Sequence, residues 1–293
     1  MKVDVSEIKC FRECKRKHQF SSRNRFHLRP VAPNDNLVFG TQFHEVLHMM
    51  YLGTDIDKIL EFITKEVTDA VHYRVMCNMA KGYFEGPYQQ DKERFQVLDI
   101  ERGFSIPGYV NPETGEVEIE ICGSIDMVCI DKITNELVGF EHKTSKNFRP
   151  EIYNIVDEQP RMYSIALRQI LDEYHNQGKY LDVKNVGPIY LNQVKKLQVK
   201  FAYERVECRY SQKDLNRFLE GFIRTAKQIY EGVDILPEPG FMKCQMCDYA
   251  TLCEHYGYCD IDVNELTKEF ENEFIVRECD HLEEKVERST ENT

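Results

Sequence analysis

No stretch of this chain approaches the roughly eighteen consecutive apolar residues that a membrane-spanning helix needs, so its 293 residues predict a protein with no membrane partner. The opening MKVDVSEIKCFRECKRKHQF carries charge where the apolar segment of an export signal would lie, which predicts a cytoplasmic or otherwise intracellular protein that is not secreted. Internal repeats and long low-complexity tracts are also missing. With 42% hydrophobic residues the chain can still bury a substantial core, and its length fits one large decorated domain.

Net basicity is lacking as well. The formal charge of −12 argues by itself against a polyanionic partner. Its distribution weakens that argument, because twelve acids against four bases fall between Asp260 and Thr293 and leave only about −4 on the rest. Between Arg12 and Arg29 lie seven bases (Arg12, Lys15, Arg16, Lys17, Arg23, Arg25, Arg29) and one acid, Glu13, with Phe20, Phe26 and His27 among them. Such a segment fits either a nucleic-acid track or a solvated basic surface. What the chain has in abundance is cysteine. Eleven cysteines in a reducing compartment predict metal ligation rather than disulfides.

Periodicity divides the chain. Ser6 to about Phe20 reads as a helix capped by Ser6, Phe39 to Tyr51 as a second, and helical patterning continues to about Tyr88. Strand composition follows at Gln96–Ser105, Glu116–Ile130 and Glu136–Lys143. A helix over Asn154–Tyr174, strands over Pro188–Val194 and Gln198–Cys208, and a helix over Gln212–Glu231 complete the body. Pro237-Glu-Pro-Gly240 then leads into a cysteine-rich loop. The order predicts an α/β fold with a central mixed sheet flanked by helices. Val263 to Cys279 reads as an amphipathic stretch, followed by a polar end.

The segment from Gly123 to Lys146 carries the most chemistry. Two strands flank a polar turn at 131–136, and a hairpin closing between Ile133 and Thr134 sets Asp126 opposite Glu141. The two-residue period of a strand adds Lys143 to the face of Glu141. Two carboxylates that can share a divalent cation, with an ammonium group beside them, suit phosphodiester hydrolysis.

Here the sequence resembles the PD-(D/E)XK nuclease superfamily, in particular the branch of the RecB nuclease domain and the CRISPR adaptation nucleases. Gly-Ser-Ile-Asp126 resembles its G-x-x-D element and Glu141-His-Lys-Thr its (D/E)-x-K-T element. Gly40-Thr-Gln-Phe-His44 resembles its G-x-x-x-H helix, and Gln159-Pro-Arg-Met-Tyr163 its Q-x-x-x-Y helix. Glu101 is similar to an upstream acidic position of relatives. The resemblance implies a restriction-endonuclease-like sheet at 96–210 with a helical insertion at 31–95, in one nuclease domain over 1–260 that precedes an acidic helix or tail at 261–293. It implies Mg²⁺ or Mn²⁺ on His44, Asp126, Glu141 and the main-chain carbonyl of His142. Lys143 would act on the attacking water, and Gln159 and Tyr163 would lie against DNA.

Cys244, Cys247 and Cys253 form C-x₂-C-x₅-C, three soft ligands that need a fourth. Cys14, Cys10 or Cys259 could supply it, and the spacing admits zinc as well as iron and sulfur. The resemblance implies a [4Fe–4S] cluster with Cys14 as fourth ligand, clipping the N-terminal and C-terminal regions together. Cys77, Cys122, Cys129, Cys208 and Cys279 read as packing residues.

His44-Glu-Val-Leu-His48 also spells H-E-x-x-H, the helical zinc motif of metalloproteases. It explains neither the Asp126/Glu141/Lys143 hairpin nor the cysteine triad, and no third ligand is clearly placed. The reading that uses all three groups is a metal-dependent DNA nuclease. Cluster-bearing relatives commonly act on single strands or DNA ends, which implies an exonuclease; a noncatalytic DNA-binding module of the same fold is the alternative. The chain has no G-x-x-x-x-G-K-[ST] loop, so unwinding would come from a helicase or a recombination or adaptation partner.

Overall fold

The polar turn after Asp131 closes its hairpin in the expected register. Asp131 Oδ1 accepts the Ile133 N–H at 2.9 Å, Asn135 takes the left-handed conformation (φ 53°), and Met127 pairs with Phe140 and Asp131 with Glu136. Extended by one residue, this pairing sets Asp126 across from Glu141. The structure, a computed structural model, describes residues 1–32, 34–232 and 235–277. The chain divides into two compact units, one from residues 34–104 and 124–215, the other from 1–33, 105–123 and 216–293.

Strand Val117–Asp131 pairs with Phe95–Val110, and its part within the first unit, from Ser124 on, pairs antiparallel with Glu136–Ser145. Glu136–Ser145 pairs in parallel with Asn185–Lys195, which pairs antiparallel with Tyr203–Cys208. A parallel step needs a crossover. Helices Glu151–Val156 and Glu158–Asn176 provide it, where the sequence predicted a single helix. Asp157 separates them because it is extended (φ −60°, ψ 143°) and caps the Gln159 N–H with its side chain. The longer helix buries Met162, Ala166, Leu167, Ile170 and Tyr174, an apolar stripe at three- and four-residue spacing. Beneath it, a Cβ at Gly139 would crowd Ile189 of the neighbouring strand at 2.8 Å, while Leu167 of the helix would be in ordinary contact at 3.4 Å. Helices Asp35–Tyr51, Ile56–Glu66, Ala70–Glu85 and Pro87–Arg94 bury Phe39, Phe43, Leu47, Met50, Ile63, Met79 and Tyr83 together. The strand expected over Gln198–Cys208 begins only at Tyr203.

In the second unit, strand Lys2–Val3 pairs in parallel with Val117–Asp131 at Glu120 and Ile121. The helix predicted over Ser6–Phe20 is two, Val5–Glu13 and Lys15–Ser21, and Asp4 rather than Ser6 caps the first. Cys14 breaks it by adopting an extended conformation (φ −163°, ψ 116°). The seven bases of this segment have partners inside the protein. Arg12 donates to Thr225 and the Gly221 carbonyl, Arg16 to the Gly257 and Cys259 carbonyls, and Arg25 to the Ile229 carbonyl. Arg23 pairs with Asp4, Arg29 bonds the Ser21 carbonyl, Lys17 pairs with Glu13, and Lys15 lies 3.9 Å from Glu238. The segment acts as a structural clasp. The expected amphipathic stretch is helix only over Val263–Glu269; Phe274–Val276 is a strand paired with Leu28–Pro30. Cys279 and the acidic tail after 277 lie outside the described residues. Among the described residues no helix is long and apolar enough to cross a membrane.

Candidate active site

Strand Glu136–Ser145 brings Glu141, His142 and Lys143 to the middle of the first unit's sheet. The His142 N–H donates to Asp126 Oδ2 at 2.7 Å. From helix Asp35–Tyr51, His44 directs Nε2 to the His142 carbonyl at 3.0 Å and Nδ1 toward Asp126 Oδ1 at 3.6 Å. Lys143 forms an ion pair with Glu141 and donates to Gln159 Oε1 at 3.0 Å, and Gln159 Nε2 donates to the Tyr163 hydroxyl at 2.7 Å. His44, Asp126, Glu141, His142, Lys143, Gln159 and Tyr163 thus form one connected cluster.

Its electrostatics follow from burial. Glu141 is 2% exposed, and its Oε2 has no hydrogen-bond partner. Burial and then the Asp126 carboxylate push the Glu141 carboxyl up to about 7, against the pull of Lys143. Burial would lower the Lys143 ammonium, but Glu141 overrides it and holds the group above its ordinary value. His142 is pulled down to about 3, chiefly by burial, so its imidazole is neutral at physiological pH. The Tyr163 phenol is raised by burial and by both carboxylates and keeps its proton.

The donor chemistry fits a hard divalent cation: two carboxylates, a main-chain carbonyl and a buried carboxylate oxygen left without a partner, which carries a desolvation cost that a cation relieves. His44, Asp126, Glu141 and the His142 carbonyl could hold it. Among the described residues no three His, Cys, Asp or Glu side chains close into a finished metal cage. Among the described residues no third ligand joins His44 and His48, and His44 turns instead to Asp126 and the His142 carbonyl, so the metalloprotease arrangement is not formed there.

Behind His142 lies a buried polar network that the motifs did not reveal. Asn192 Nδ2 lies 3.2 Å from His142 Nδ1 and donates to the Tyr83 hydroxyl at 3.0 Å. Asn192 Oδ1 accepts from Arg205 Nε at 2.8 Å and from the Tyr203 hydroxyl at 3.0 Å. Arg205 grips Asp91 through two bonds of 2.8 Å, and the Tyr51 hydroxyl donates to Asp91 at 2.6 Å. The one local sign of this network is the polar pair Asn192-Gln193 inside an otherwise apolar strand. Glu101 is a non-glycine residue at φ 52° within strand Phe95–Val110.

In the second unit, Cys14, Cys244, Cys247 and Cys253 line one cavity of about 500 Å³ together with Lys17, Pro237 and Tyr258. The Cys253 thiol is pushed up to about 11 by burial and then by Cys247 and Cys14, with a smaller push from Cys244. The Gly240 N–H donates to Cys244 Sγ at 3.3 Å. Cys10 lies 3.5 Å from Ser21 Oγ and faces a different cavity, while Cys259 is exposed and outside the shared one. Thiols are the donor type that a soft metal or an iron–sulfur cluster takes, and of the three candidates for a fourth ligand Cys14 is the one that lines this cavity. Cys122, Cys129 and Cys208 are buried and Cys77 half-buried, as packing residues should be.

A sequence profile described as the PD-(D/E)XK nuclease superfamily matches residues 3–254. No curated protein sequence matches the chain. Among solved structures, a protein of Eubacterium rectale provisionally assigned as an exonuclease is similar with a TM-score of 0.47 and 14% identity, covering 90% of this chain and 92% of that one. The protein SSO0001 is similar with a TM-score of 0.39 and 12% identity, over 86% of this chain and 85% of that one. With a family match over most of its length and a central mixed sheet flanked by helices, the chain belongs to the PD-(D/E)XK nuclease superfamily, whose members hydrolyse phosphodiester bonds.

Proposed function

We propose that the protein is a divalent-metal-dependent deoxyribonuclease of the RecB-like branch, working as an exonuclease on single-stranded DNA or DNA ends. The observation that carries this reading is Glu141 Oε2, a buried carboxylate oxygen without a partner beside Asp126 and the His142 carbonyl. His44, Asp126, Glu141 and the His142 carbonyl would hold Mg²⁺ or Mn²⁺. When bound, such an ion polarises the scissile phosphate and acidifies a water. Lys143, fixed between Glu141 and Gln159, orients that water and offsets charge building on the phosphate. Gln159 and Tyr163 position the strand. The four cavity cysteines hold a [4Fe–4S] cluster in this reading, with zinc as the alternative occupant. A separate helicase or recombination partner would supply unwinding, since the given sequence has no G-x-x-x-x-G-K-[ST] pattern.

The test is cleavage of end-labelled single- and double-stranded DNA by anaerobically purified protein with Mg²⁺, Mn²⁺ or EDTA. Degradation should require metal, proceed from ends, and fall about 100-fold or more in Lys143→Ala. Wild-type protein that binds DNA but cleaves no substrate would replace this reading with a noncatalytic binding module.

A further inference from the structure

The carboxyl ends of the two parallel strands finish beside one another: Ser145 is in register with Lys195, and the Lys196 N–H donates to the Ser145 carbonyl at 2.8 Å. Ligands of open α/β sheets gather outside such strand ends. Lys146, Lys195 and Lys196 emerge there together. None of the three has an acidic partner among the described residues. Lys195 Nζ instead sits 4.3 Å from the centre of the Phe148 ring, and Lys196 Nζ sits 4.7 Å from that of Phe39 and 3.2 Å from Asn36 Oδ1. Burial and then the neighbouring Lys146 lower the Lys196 ammonium, so like charges are held together without compensation. A surface built this way favours an anion.

The chain continues into helix Glu151–Val156, which is pinned from below. Asn154 is buried, the Cys208 thiol approaches its carbonyl, and the Tyr210 hydroxyl donates to the Ile155 carbonyl at 3.0 Å. The Arg149 N–H is fixed on Gln193 Oε1 at 2.9 Å. This leaves Ile152, Tyr153 and Val156 facing solvent at 61%, 63% and 49% exposure on a fixed support. Lys146 follows the catalytic-strand residue Lys143 by three positions, roughly 10 Å at the strand's rise of about 3.3 Å per residue. That is a step of a few nucleotides at most.

We propose that this rim is a single-strand track, with phosphates running over Lys146, Lys195 and Lys196 and an unpaired base stacking on Tyr153. The proposal rests on the nuclease reading and specifies the form of DNA that its site receives. Lysines alone would serve duplex and single strand alike. An exposed aromatic ring selects the single strand, because only an unpaired base offers a free face. On a chain of net charge −12 a local, uncompensated basic strip is also the feature that can hold a polyanion near the site.

The experiment is fluorescence anisotropy of a labelled single-stranded oligonucleotide and a blunt duplex in EDTA, over a salt series, with melting curves to verify folding. The variants are the double substitution Lys146→Ala with Lys195→Ala, Tyr153→Ala and Tyr153→Phe; Lys146→Gln replaces the double variant if that one unfolds. The double variant should bind single strand about tenfold more weakly and with a log–log salt slope shallower by about 1.4, from about 0.7 per lost phosphate contact. Tyr153→Ala should weaken single-strand binding about tenfold with little effect on duplex, and Tyr153→Phe should restore it. If wild type binds DNA and the lysine variants keep its affinity and slope, the track is overturned while the nuclease reading stands. Unchanged DNA binding by Tyr153→Ala alone would overturn the stacking role and leave the apolar trio to a protein partner. Wild-type protein that neither binds nor cleaves DNA would remove both readings.

Discussion

Asp91 and Arg205 are 114 positions apart in sequence, and their bidentate pair holds Asn192 against the neutral ring of His142. His142 has two duties on its backbone, an N–H for Asp126 and a carbonyl for His44, so the network behind its side chain sets the attitude of the site. Asp91 is 2% exposed. Removing its cation leaves a buried charge uncompensated, which costs about 3–5 kcal/mol. Arg205→Met should therefore lower unfolding stability by about that amount in urea titration, whereas a loss below about 1 kcal/mol would mean that water reaches Asp91. His44, Asp126, Glu141, Lys143, Gln159 and Tyr163 were legible because each sits in a short motif whose internal spacing follows strand or helix geometry. Asp91, Asn192, Arg205, Tyr51 and Tyr83 were not, because five residues on five elements meet only when the sheet and the helices pack.

At the level of elements the hairpin and the N-terminal helix behaved differently. The hairpin register followed from local chemistry: Asp131, Asn135 and Glu136 interrupt two apolar runs, and a turn there has few ways to close. The helix over Ser6–Phe20 was broken at Cys14 although its pattern runs through that residue. Its flanks are held by distant partners: Arg12 by Thr225, the Glu13 carbonyl by Lys243, and Arg16 by the Gly257 carbonyl. These bonds decide the local conformation over propensity. The break delivers Cys14 to the cavity of Cys244, Cys247 and Cys253. Cys14→Ser should accordingly abolish bound metal in anaerobically purified protein, while Cys10→Ser and Cys259→Ser keep it. Elemental analysis of iron and zinc, with visible absorption, reads the result and identifies the occupant. Metal retained in Cys14→Ser would assign the fourth ligand elsewhere.

For the molecule as a whole, acid stability has an identifiable contributor in Glu7. Burial raises its carboxyl, but bonds from His18 at 3.1 Å, from Ser22 and from Asn24 at 3.0 Å outweigh burial and hold it below its ordinary 4.5. A depressed carboxyl stabilises the fold above its unfolded value and loses that contribution as pH falls from about 4.5 toward the folded value. Glu7→Gln should be less stable than wild type at pH 7 by about 1–3 kcal/mol, with the gap closing below pH 4.5 in urea titrations across pH. A gap that does not narrow as pH falls below 4.5 would trace the loss to packing. The acidic total of −12 was readable from composition, but composition could not say that the seven bases of residues 12–29 are engaged inside the protein. Mixed α/β class, hairpin register and the order of the motifs depend on periodicity and on contacts a few residues apart, and these the linear chain already specifies. The network under His142, the break at Cys14, the clasp of arginines and the strip of unpaired lysines at the strand ends were decided by packing. They depend on which distant segments become neighbours, and no local spacing encodes that.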